Sequence, residues 1–150
     1  GLTTAKTHVA SLLAKIGVTG SVKSALDDGF LYYFSGPVPA SADDAIDGSC
    51  VMLAKFTESG DGSTGLTFKT TATDGVLAKT VAEAWQSTAA ATGTATFARF
   101  CAAGNDGTGA STTDPRIQNT LGTTSAADAQ LTSVAITASD ALSVDIYQVN

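Results

Sequence analysis

Two short stretches constrain this chain most: "FLYYF" at Phe30–Phe34 and "FARFC" at Phe97–Cys101. Side chains of a strand alternate between its two faces. In the second stretch Phe97, Arg99 and Cys101 share one face, while Ala98 and Phe100 share the other with Thr96. The first is apolar on both faces. Strands with aromatic side chains on both faces have to be covered on both. Each therefore reads as an interior strand. An arginine on such a face needs a carboxylate, a carbonyl or a subunit partner, because a buried charge without one is costly. "GNDGTG", which follows, reads as a turn with Asn105 and Gly107 suited to positive φ.

The rest of the chain repeats the pattern of short apolar runs closed by turn residues. "GPVP" breaks the first strand, and "ASADDAIDG" reads as one short helical turn, with Ser41 and Asp44 at capping-box spacing and Gly48 as its stop. "CVMLAKF" reads as a strand with Cys50, Met52, Ala54 and Phe56 on one face. "TESGDGSTG" is a turn. In "LTFK", Leu66 and Phe68 point in, and Thr67 and Lys69 point out. "VLAKTVAEAWQ" fits either a short helix or a strand followed by a connection. Its Trp85 is either a core anchor or an interface anchor. "RIQNTLG", "LTSVAIT" and "LSVDIYQV" complete the set, with Leu142, Val144 and Ile146 alternating with Ser143, Asp145 and Tyr147. Seven or eight strands with turns between them imply a mainly β fold, a β-sandwich or jelly roll.

Residues 3–16 differ. Ala5, Val9, Leu12, Leu13 and Ile16 recur at helical spacing, Thr3 or Thr4 can cap the start, and Gly17 can end it. The chain thus divides into an N-terminal helical arm, 1–28, and a β domain, 29–150. An isolated helix of this length is marginal in water, so its apolar stripe needs a surface to cover. Val9, Leu12, Leu13 and Ile16 are the expected interaction residues of the arm, with Trp85 and Arg99 as those of the β domain.

The composition bears on partners. The net charge is −6, so direct nucleic-acid binding is disfavoured. No apolar run is long enough to cross a membrane as a helix, and the N-terminal stretch does not read as a signal peptide. Charged residues reach only 15%, with Ala, Thr, Gly and Ser filling the gap. Such a surface suits packing against other chains, and equally an ordinary Thr/Ala-rich β domain. Cys50 and Cys101 stand within apolar runs, either as one disulfide or as two buried thiols, and without a secretory signal thiols are favoured.

No reaction is spelled out. The single histidine, His8, lies in the arm without a partner constellation. "GDGSTG" is not a nucleophile elbow, and no phosphate-binding glycine loop is present. "DDAIDG" lacks calcium-loop spacing, with Ala54 at the twelfth position from Asp43. One histidine and two separated cysteines make no zinc site. The two glutamates, Glu58 and Glu83, offer little to glycoside hydrolysis. No catalytic residue, metal or cofactor is expected.

"FLYYFSGPVPASADDAIDGS", "GTATFARFCAAG" and "RIQNTLGTTSAADAQLTSVAIT" resemble a family of small virion proteins of tailed bacteriophages. The resemblance spans residues 29–148. In "NTLGTTSAADAQL" an alanine stands where the family pattern has its second glycine. The resemblance implies a structural protein of the particle, made in the bacterial cytoplasm. Within that class a capsid decoration or cement protein is favoured, a homo-oligomer (dimer or trimer) bridging major capsid protein subunits on the outer capsid surface. The alternatives are a tail, baseplate or fibre component, or a carbohydrate-binding module of a receptor-binding protein. A sugar binder would need an exposed aromatic platform around Tyr32, Tyr33 or Trp85.

Overall fold

The structure, a computed structural model, describes residues 20–149. The helix expected over 3–16, with Val9, Leu12, Leu13, Ile16 and His8, lies outside the described residues. The chain is mainly β, as its strand pattern requires. Among the described residues one short helix, α1 (Val22–Leu26), precedes strands β1 (Phe30–Phe34), β2 (Met52–Glu58), β3 (Leu77–Ala78), β4 (Trp85–Thr88), β5 (Gly93–Thr94) and β6 (Phe97–Cys101). Then come β7 (Arg116–Gly122), β8 (Ala129–Gln130), β9 (Ala135–Ile136), β10 (Ala141–Val144) and β11 (Gln148–Val149). Several are only two residues long, which is why more strands form than the sequence pattern counts.

Seven strands join in one curled sheet, in the order β10-β4-β2-β1-β6-β7-β8. Only the β7–β8 pair is parallel. β3 pairs with β11, and β5 with β9, as two separate ribbons. The two aromatic stretches are adjacent in the middle: Phe30 faces Cys101, Tyr32 faces Arg99 and Phe34 faces Phe97. Both faces of this pair are covered. One side holds the main core, with Leu31, Tyr33, Phe56, Phe68, Trp85 and Phe100. The other holds a smaller cluster of Tyr32, Phe34, Phe97 and Cys101, flanked by Ile46 and Cys50.

α1 was not legible in the strand pattern. Its start is a capping box in which Ser21 and Ser24 bond each other's backbone, with serine where glutamate or glutamine usually stands. It buries Leu26 completely in the main core. Lys23 pairs with Asp27, and Asp27 accepts a bond from the Phe68 amide. Residues 20–28, grouped with the arm on sequence grounds, are thus tied into the β domain.

Four local expectations change. β2 carries an irregularity where Tyr33 faces Ala54 but Phe34 faces Met52. The extra residue, Leu53, turns inward beside Ala54 and Phe56, and Met52 is left exposed, so the single apolar face from Cys50 to Phe56 does not form. "LSVDIYQV" is two strands: β10 pairs with β4, and β11 with β3. The change of partner reverses the phase between them, so Tyr147 packs inward and Ile146 is 78% exposed. "VLAKTVAEAWQ" forms no helix, only β3, a connection and the start of β4. "ASADDAIDG" forms turns but no helix. Its Ser41–Asp44 bonds are present, the Ser41 amide donating to Asp44 Oδ2 at 2.9 Å. The chain stays open there because two of its carbonyls are taken by buried arginines, as described next.

Candidate functional site

Arg99 and Arg116 stand on neighbouring strands, β6 and β7, and point to the face away from the main core. Arg99 is fully buried and Arg116 nearly so. Each guanidinium reaches the two loops that cover this face, residues 35–50 and 102–115. Arg99 Nε donates to Gln118 Oε1 at 2.9 Å, Nη1 to the Gly107 carbonyl at 2.5 Å and Nη2 to the Ser41 carbonyl at 3.1 Å. Arg116 Nη1 donates to the Ala42 and Gly109 carbonyls, and its Nε to Asn105 Oδ1 at 3.1 Å. Gln118 Nε2 completes the set by donating to the Pro39 carbonyl at 2.8 Å.

The sequence explains why carbonyls are available. Pro37 and Pro39 have fixed φ and no amide hydrogen, so this part of the first loop cannot enter a regular ladder. The Pro39 carbonyl turns to Gln118 instead, and the Ser41 and Ala42 carbonyls that follow turn to the arginines. In the second loop Asn105 shapes the turn: its Oδ1 accepts from the Gly107 amide at 2.8 Å and its Nδ2 donates to Asp114. Gly107, at φ 74°, takes the positive φ together with Gly104, and Asn105 does not. A Cβ on Gly107 would lie 2.8 Å from the Cys101 sulfur, so this position also needs glycine for closeness. Two backbone bonds, Ile46 to Thr108 and Ser111 to Asp43, tie the loops to each other.

The electrostatics of the clamp follow from its burial. Removal from water lowers the Arg99 pKa, and the charge of Arg116 lowers it further. Arginine stays protonated through such shifts, so both side chains remain charged donors. Burial pushes the Cys101 thiol up to about 12, against the opposing pull of Arg116 and Arg99. It is a packed thiol and not an activated nucleophile.

Arg99 therefore finds its partners within its own chain. Trp85 does too. It is 1% exposed, and its Nε1 donates to Glu83 Oε2 at 2.8 Å. Its ring packs against Phe68, Phe100 and Tyr147, with centroids 5.4–5.7 Å apart. Both stand among the expected interaction residues, Trp85 with a core anchor as its alternative and Arg99 with a carboxylate or carbonyl partner as its alternatives; both are interior, because each sits on a strand covered on that side. Arg116, Gln118 and Asn105 were missed. Polar residues at alternate positions beside inward Ile117, next to a strand already bearing Arg99, were the available signal. Tyr32, Tyr33 and Trp85 are all buried, so they form no exposed platform for a sugar.

Among the described residues the exposed large hydrophobic side chains are Val38, Val51, Met52, Val81 and Ile146. Val81 and Ile146 flank a shallow hollow of about 180 Å³ along β3 and β11, lined also by Lys69, Lys79, Asp145 and Tyr147. Val81 also borders a wider hollow of about 570 Å³ with Lys23, Lys69 and Thr67–Thr71. Val38 and Met52 lie on the opposite side, at the margin of the clamped loops. Among the described residues no group of three His, Cys, Asp or Glu side chains is placed to hold a metal ion, and no helix is long and apolar enough to cross a membrane.

No family model, curated protein or solved structure matches this chain.

Proposed function

We propose that this chain is a structural protein of a tailed-bacteriophage particle, a decoration protein that bridges major capsid subunits on the outer surface of the shell. One observation carries this reading. The stretches that resemble the small virion proteins are the ones the buried clamp joins. "SGPVPASAD" supplies the Pro39, Ser41 and Ala42 carbonyls, "FARFC" supplies Arg99, and "RIQ" supplies Arg116 and Gln118. The family-like text is thus the wiring of a rigid loop face. A rigid face lowers the ordering cost of association, which suits a protein whose work is to bind a lattice many times over. The acidic net charge suits a position away from packaged DNA. A binder that contacts only the assembled shell stabilises it by mass action, about 2.7 kcal/mol per site at one hundred times its dissociation constant.

The test is location and effect together. Purified particles are labelled for this protein, its copy number is measured against the major capsid protein, and DNA release on heating is followed with and without the protein added back. Decoration predicts shell labelling, copy numbers comparable with the major capsid protein, and earlier release in its absence. Labelling confined to the tail, with few copies, overturns the shell assignment in favour of a tail, baseplate or fibre component. Absence from particles overturns the structural reading altogether.

A further inference from the structure

We propose that the protein associates with itself head to tail, the lysine-lined hollow of one copy seating on the acidic loop face of the next. The two surfaces lie on opposite sides of the β1–β6–β7 sheet. Phe68 and Tyr147, at the base of the hollows, pack edge-on or tilted against Trp85 and Phe100 in the main core. The clamped loops cover the other side, over Tyr32, Phe34, Phe97 and Cys101. One copy thus carries the two surfaces back to back.

Their charges are complementary. Of the four lysines among the described residues, Lys23, Lys69 and Lys79 line the hollows. Asp145 is the acidic residue lining them, and Lys23 is paired with Asp27. The loops 35–50 and 102–115 contain Asp43, Asp44, Asp47, Asp106 and Asp114 and no lysine or arginine. The buried Arg99 and Arg116 lie beneath them, bonded to loop carbonyls, not on the surface. Each side also carries exposed aliphatic side chains: Val81 and Ile146, 77% and 78% exposed, at the hollow, and Val38 and Met52 at the loop margin.

This distribution selects the mode of association. A two-fold contact sets a patch against its own copy, which would bring lysines to lysines or aspartates to aspartates. Like charges across an interface are unfavourable, and opposite ones steer the encounter. Hollow against loop face brings lysine to aspartate and valine to valine. Such a contact is heterologous: it closes as a ring where the rotation permits and otherwise continues as a chain. It rests on the two surfaces alone, so it stands or falls separately from the particle assignment.

The experiment uses the purified full chain in sedimentation velocity across a concentration series, at low and high salt. Two double variants change only exposed side chains. Val81→Glu with Ile146→Glu disables the hollow, and Val38→Asn with Met52→Asn disables the loop margin. Circular dichroism and melting check that each is folded. The expected results are concentration-dependent assembly of the parent chain that weakens with salt, and association at least about ten-fold weaker for each variant alone, the scale of losing buried anchors. An equimolar mixture of the two variants is expected to stop at a heterodimer, because each keeps one working surface. A parent chain that stays monomeric throughout overturns the proposal. So does a mixture that forms no heterodimer, since that is the behaviour of a two-fold contact.

Discussion

Arg99 and Gln118 face each other across β6 and β7, with Arg99 Nε donating to Gln118 Oε1 at 2.9 Å. From this pair two loops are held: Gln118 reaches Pro39, and Arg99 reaches Ser41 and Gly107. The pair turns a strand–strand register into a fixed loop face. Among the described residues no buried side-chain nitrogen or oxygen is left without a hydrogen-bond partner.

Removing the guanidinium is expected to cost more than any single surface change. Arg99→Ala strands the Gln118 and Gly107 oxygens and leaves the Ser41 carbonyl only its bond from the Asp44 amide, and each buried acceptor left unmade costs about 1–3 kcal/mol. A loss of about 3 kcal/mol or more in urea unfolding is expected. Arg99→Lys is expected to recover only part of it, since an ammonium does not reproduce the planar fork. Amide exchange over residues 35–50 is expected to rise in both variants. Unchanged exchange there would show that the loops are held by other contacts.

This clamp also marks where the sequence was legible and where it was not. The alternation in "FARFC" put Arg99 on a face with Phe97 and Cys101, and the structure keeps it there, because strand period is a local property. The need of Arg99 for a carboxylate, a carbonyl or a subunit partner is legible too, but that it takes carbonyls, and which ones, is not, since Ser41 is 58 residues away. "TESGDGSTG" was read as a turn, and Asp61 Oδ1 accepts from the amides of Ser63 and Thr64 within it. Leu53 and Ile146 were misplaced for one reason. A bulge or a change of partner shifts strand phase by one, and both depend on distant pairing. The interior position of Trp85 depended likewise on Phe68, Phe100 and Tyr147 arriving from three other segments.

Glu83 is the anchor beneath Trp85. Its Oε2 accepts from Trp85 Nε1 and from the Thr67 amide, and its Oε1 accepts from the Thr67 hydroxyl at 2.5 Å. Glu83→Gln keeps an oxygen for the first two donors, and its amide can donate to the Thr67 hydroxyl. A loss below about 1 kcal/mol is expected. Glu83→Ala leaves the indole and amide donors unmade and is expected to cost about 2–4 kcal/mol. Tryptophan fluorescence in urea reads both. Equal losses would show that Glu83 acts through its charge and not through its acceptors.

Cys50 and Cys101 stand at opposite ends of β1. Cys101 faces Phe30, whereas Cys50 precedes Met52, which faces Phe34. Four residues of strand separate these ends by about 13 Å, at about 3.3 Å per residue. A disulfide needs its Cα atoms within about 7 Å. Both cysteines are free thiols in the structure, as favoured on sequence grounds. Oxidising conditions are therefore expected to leave the melting temperature of the purified chain unchanged, and alkylation of the unfolded chain is expected to find two thiols by mass. A chain that takes up no label before reduction would contradict this geometry.

Alkaline pH is expected to unfold the chain earlier than its acidic composition would imply. Burial raises the Cys101 thiol to about 12 from 9.0, and the Tyr33 hydroxyl to about 12 from 10.0. Burial raises the Tyr147 hydroxyl as well. In each case the folded state holds its proton more tightly than the unfolded state. The stability these groups contribute is complete below the unfolded value and is lost as pH rises toward the folded one. The first loss begins near pH 9, where Cys101 ionises only in the unfolded chain. One such group lowers stability by up to about 1.4 kcal/mol per pH unit. Cys101→Ala removes that group while leaving the tyrosines. Its urea midpoint is expected to start lower, because a buried sulfur is lost. It is expected to stay level between pH 9 and 10, where the parent declines, and to fall only above pH 10 as the tyrosines take over. Parallel decline of parent and variant from pH 9 would remove Cys101 as the cause.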